Sequence, residues 1–94
     1  MKIPKKLAKY LAHQIDFSTF TVFEVIPNET YGSIVMVLPR VEKQYSYCGL
    51  ILGNGGQWFT DAEEMINAAE RQHFISRLKR VILLLRYRHA IKKT

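Results

Sequence analysis

Few residues in this 94-residue chain are of a type and spacing that could do chemistry. Asp61, Glu63 and Glu64 place three carboxylates within four residues, and such pairs can serve as general acid and base. Cys48, the only cysteine, could be a nucleophile if a histidine such as His73 stood beside it. His13, His73 and His89 lie far apart, without the short spacing of a metal-binding pair. Gly53, Asn54, Gly55 and Gly56 form a glycine-rich stretch that lacks both the Lys-Ser/Thr of a phosphate loop and the GxGxxG spacing. Each has a plainer reading. The carboxylates suit the first turn of a helix, the cysteine suits a buried strand, and the glycines suit a hairpin turn. The expectation is a protein that is not an enzyme and uses no cofactor or metal.

The strongest chemical signal is positive charge. Residues 71–94 hold eight bases and no acids, whereas residues 1–70 hold six bases and eight acids, so the formal net charge of +6 arises wholly in the last quarter. Clustered bases on one element are the electrostatic footprint of nucleic-acid binders. Arg77, Lys79, Arg80, Arg86, Arg88, Lys92 and Lys93 are therefore the candidate contacts to DNA or RNA phosphates.

The element that must carry them is helical. Thr60, Asp61, Ala62 and Glu63 fit a capping box with Thr60 as the cap. Ala62, Met65, Ile66 and Ala69 then recur on one helix face, and Phe74, Leu78, Val81, Ile82 and Leu85 extend it as the face expected to pack on a sheet. Leu83, Leu84 and Tyr87 fall on other faces, and Val81 to Leu85 is apolar nearly all round. A helix of that kind is buried on more than one side. Leu83, Leu84 and Tyr87 are accordingly the candidate partner interface, for a homodimer or a second protein. One helix from residue 60 to residue 90 would run to about 45 Å, more than a domain this size spans. It is either bent near His73 to Ser76 or it projects toward a partner.

Upstream, residues 4–15 read as a short amphipathic helix through Leu7, Leu11 and Ile15. Phe17 to Ile26 is rich in aromatic and β-branched residues and reads as a strand, followed by a turn from Pro27 to Thr30. Ile34 to Leu38 is a continuous apolar run of strand length, Tyr45 to Leu52 a third strand, and Gln57 to Phe59 a short return strand. The expected fold is a single α+β domain over 1–94. It has an N-terminal helix, an antiparallel sheet of three to four strands with its apolar face covered by helices, and a long C-terminal helix whose basic part is 71–94.

This order of helix, three strands and helix over residues 4–75 resembles the double-stranded RNA-binding domain family. In that family the final helix opens with phosphate-gripping lysines. Asp61, Glu63 and Glu64 stand at the matching place here, so the resemblance implies an element order and no binding residues.

No run is long enough to span a bilayer, and the N-terminus lacks the apolar core of a secretory signal. A cytoplasmic setting is expected. Two functions follow. One is a small nucleic-acid-associated accessory protein. The other is a protein-interaction module, a regulator or inhibitor of the kind that phages and mobile elements carry.

Overall fold

The structure, a computed structural model, describes residues 3–40, 47–53 and 55–92, and side chains as far as Ala90. Its elements are α1 (Lys5–Ala12), β1 (Phe20–Asn28), β2 (Gly32–Pro39), β3 (Cys48–Leu52), β4 (Gly55–Phe59), α2 (Ala62–Arg71) and α3 (Arg77–Lys92). The strands form one antiparallel sheet in the order β1-β2-β3-β4. The α+β layout expected from the sequence is therefore present. Tyr45, assigned above to the third strand, and Asn54 of the glycine stretch lie outside the described residues.

Helices cover both faces of the sheet. Ile34 and Met36 of β2 join Cys48 and Leu50 of β3 against Ala62, Met65, Ile66 and Ala69 of α2 and Leu83 of α3. The intervening Val35 and Val37, with Ile51, pack on Leu11 and Ile15 from the α1 side. A strand enclosed on both faces needs no polar alternation, which is why Ile34 to Leu38 is apolar throughout. Tyr10 ties α1 to the far end of the sheet, its hydroxyl donating to the carbonyl of Leu52 at 3.1 Å and to that of Gly53.

The turns follow from local chemistry. Asn28 Oδ1 accepts from the backbone N–H groups of Thr30 at 2.9 Å and Tyr31 at 3.1 Å, and Gly32 takes a positive φ of 81° to re-enter β2. β3 and β4 pair from Cys48↔Phe59 to Leu52↔Gly55, so the glycine stretch is a hairpin connection. A side chain at Gly49 would meet the Trp58 ring at 2.8 Å; the glycine lets that ring lie across β3 to within 5.6 Å of Phe20.

Helix α2 starts one residue later than the capping box above implies. Asp61, not Thr60, is the cap: its Oδ1 accepts from Glu64 N–H at 2.8 Å, while Thr60 Oγ1 donates to the Glu64 carboxylate. The sequence holds the box twice, offset by one, and the carboxylate wins the N-cap. The helix ends in a Schellman motif. Phe74 N–H donates to Ala69 O at 2.8 Å and His73 N–H to Glu70 O at 3.0 Å, with His73 left-handed at φ 63°. Ser76 then caps α3, its Oγ accepting from Lys79 N–H at 3.0 Å. The C-terminal segment is thus two helices joined by a turn, and it fits a molecule of 32 × 31 × 23 Å that a single 30-residue helix would overrun.

Candidate functional site

The break at His73 resets the helical phase, and this decides which face of α3 meets the sheet. Leu83 is fully buried, and Leu84 and Tyr87 pack half-buried against the same core. Leu78, Val81, Ile82 and Leu85 point the other way and are 70, 42, 42 and 59% exposed. The expectation from sequence is inverted for α3. Ala62, Met65, Ile66, Ala69 and Phe74 of the expected packing face do lie on the core, but its continuation Leu78, Val81, Ile82 and Leu85 forms an exposed apolar stripe, while Leu83, Leu84 and Tyr87, the candidate partner interface, hold α3 to the body. The chain breaks within the His73 to Ser76 stretch, one of the two outcomes open from the sequence, and one apolar periodicity does not run through such a break.

The spacing of the stripe, at i, i+3, i+4 and i+7, gathers its four side chains on one side of the helix. Isolated apolar residues are ordinary on a protein surface, whereas neighbouring ones gathered on one face form an exposed apolar patch.

Most of the candidate phosphate contacts are occupied within the chain. β1 carries a bulge between Val22 and Glu24, where Val22 faces Val37 and Glu24 faces Met36. The extra residue puts Phe23 and Glu24 on the same side of the sheet, toward α3. Glu24 is only 7% exposed and meets Lys79 Nζ at 3.1 Å and Arg86 Nη1 at 2.6 Å. The Arg86 guanidinium also lies 5.1 Å from the centre of the Phe23 ring, and its Nη2 donates to Phe23 O at 3.4 Å. Burial alone would raise the Glu24 pKa, but the hydrogen bonds and charges of Lys79 and Arg86 outweigh it and hold the carboxyl below its ordinary value.

On the other side of α3, Arg88 meets Glu63 of α2 at 3.2 Å, and Arg77 stands 4.0 Å from Glu70. Arg80 donates through Nη1 to Asn67 Oδ1 at 3.1 Å. The Lys92 side chain and Lys93 lie outside the described residues.

Sequence reasoning passed over two features. One is Glu24, the single acid inside an apolar strand segment; a carboxylate that sheet-covering helices will bury needs a cation, and that was its signal. The other is the outer apolar stripe.

Cys48 lies in the core, and the carboxylates of α2 lie in its first turn. Cys48 is buried, and its thiol is pushed up to about 11, first by burial and then by the Asp61 charge, so little thiolate forms near neutrality. Glu63 and Glu64 are exposed in the first turn of α2, where Glu63 pairs with Arg88 and Glu64 with Thr60. Among the described residues no group of three or more His, Cys, Asp or Glu side chains is placed to hold a metal ion, and no helix is long and apolar enough to cross a membrane.

No protein-family model, curated protein or solved structure matches the chain.

Proposed function

We propose that this protein is an interaction module that binds another polypeptide through the outer face of α3, with Leu78, Val81, Ile82 and Leu85 as the contact row. The observation that carries this reading is the pairing of two opposite faces on one helix. Leu83 fastens α3 to the core, while the four-residue stripe stays in water at a cost that an unassociated protein has no reason to bear. The ion pairs of Glu24 and Glu63 brace the helix from either side and keep that stripe outward.

A photocrosslinking residue at Leu85 tests the reading in cells that make the protein naturally. Discrete adducts to a polypeptide are expected from Leu85 and none from the exposed turn residue Glu29. Adducts only to nucleic acid or lipid, or no adduct at all, would overturn it.

Contact with DNA or RNA through the same helix is the second reading, favoured by the exposure of Arg77 and Arg88, whose side chains remain 87 and 57% accessible beside their acids. Binding of that kind weakens steeply with salt and is indifferent to Leu85→Ser.

A further inference from the structure

We infer that the polypeptide seated on α3 is an acidic amphipathic helix, one whose own apolar row is flanked by Asp or Glu. This rests on the interaction reading above and adds the chemistry of the partner.

Turning 100° per residue, α3 sets two bases on each border of the stripe: Lys79 and Arg86 beside Ile82, Arg77 and Arg88 beside Val81. Every one of these bases has an intramolecular acid, yet each is more exposed than the acid it meets. Side-chain accessibilities are 87% for Arg77 against 28% for Glu70, and 57% for Arg88 against 49% for Glu63. For Lys79 and Arg86 they are 40 and 44%, against 10% for the Glu24 they share. Glu24 and Glu70 lie behind their cations, while Glu63 is nearly as exposed as Arg88, so a molecule lying on the stripe meets Lys79 and Arg86 ahead of one recessed acid on one border and Arg77 ahead of its acid on the other.

The helix itself has no acid among its sixteen residues, Arg77–Lys92. A second copy of α3 laid on the first, in either direction, would therefore set base against base along both borders, an arrangement that selects against the pairing. An apolar row with acidic borders is the complement, as flanking charges choose partners in helix pairs generally. The row from Leu78 to Leu85 extends about 10 Å along the axis, so roughly two turns of partner helix suffice to cover it.

Three synthetic helical peptides with the same Leu/Ile row, flanked by Glu, Gln or Lys, separate the possibilities when titrated against the whole protein by fluorescence anisotropy. The Glu peptide should bind roughly tenfold tighter than the Gln peptide at low salt, and the Lys peptide not measurably. Arg77→Gln with Arg88→Gln, both on the surface and so compatible with folding, should weaken binding of the Glu peptide severalfold and leave that of the Gln peptide unchanged, since the Lys79 and Arg86 border remains. Leu85→Asp should abolish both.

Equal binding of the Glu and Gln peptides would overturn the inference while leaving the apolar docking surface in place. Binding of none of them, with polypeptide adducts still formed at Leu85, would also overturn it, by showing a partner of another shape. Sedimentation as a dimer lost in Leu85→Asp would give the face to a second copy. Tighter binding to phosphatidylglycerol-containing vesicles than to the Glu peptide would give it to a membrane surface. Either result contradicts the inference.

Discussion

Helices α2 and α3 carry apolar residues at the same spacing and use them in opposite ways. In α2, Met65, Ile66 and Ala69 are inaccessible to solvent and close one side of the sheet. In α3 the row Leu78, Val81, Ile82 and Leu85 has the same three-and-four repeat and faces water, while a second apolar set, Leu83, Leu84 and Tyr87, does the packing. Periodicity reveals that a helix has an apolar face. It does not say what covers that face, and of the two apolar faces of α3 only one is covered by the body of the protein.

The largest effects should come from residues that are inside on either helix. Met65→Ala or Leu83→Ala each leaves a cavity in the core and should lower the unfolding free energy by about 2–5 kcal/mol in urea titrations. Leu85→Ala should change it by no more than about 0.5 kcal/mol, the usual range for an exposed site. Equal losses at Leu83 and Leu85 would erase the difference between the faces.

Next comes the brace on α3. Removal of the buried carboxylate by Glu24→Ala leaves Lys79 and Arg86 without their acid, but both are accessible enough to rehydrate, so the loss should be about 1–3 kcal/mol. The pH dependence has a definite sign. The folded pKa of Glu24 lies below its ordinary value of 4.5, so its contribution is complete above 4.5 and fades as pH falls through the lower folded value. Stability of the wild type should fall across that acidic window by more than that of Glu24→Gln.

The turn between the helices gives smaller effects of both signs. Ser76→Ala removes the α3 cap and should cost about 1 kcal/mol. His73→Gly relieves the left-handed conformation that a side chain opposes and should raise stability by about 0.5–1 kcal/mol, read as an increase in the urea midpoint. A loss at His73→Gly would mean that its side chain, not its backbone, secures the turn.

Much of the fold is legible in the sequence because its signals are local. Leu7 and Leu11 mark α1, which stops at Ala12 rather than running to Ile15, the unbroken Ile34 to Leu38 marks a strand enclosed on both sides, and the glycines after Leu52 mark a hairpin. The candidate surface is legible only in part. His73 ends α2 in a conformation usually given to glycine, so no Gly or Pro announces the break, and the phase of α3 cannot be read forward from α2. Glu24 is hidden by the bulge, since strict alternation puts Phe23 and Glu24 on opposite faces of β1, whereas the extra residue brings both toward α3. Without that acid the bases of α3 look free. With it, Lys79 and Arg86 belong to the structure before they belong to any ligand.

The measurement that bears most directly on the division of α3 into a packing face and a free face is the urea unfolding free energy of the double variant Leu78→Ser with Leu85→Ser. Both residues are more than half exposed, at 70 and 59%. The free energy should stay within about 1 kcal/mol of the wild type, as expected for two surface substitutions. A loss of several kcal/mol would show that the stripe holds the fold together, and the outer face of α3 could not then be a surface kept for a partner.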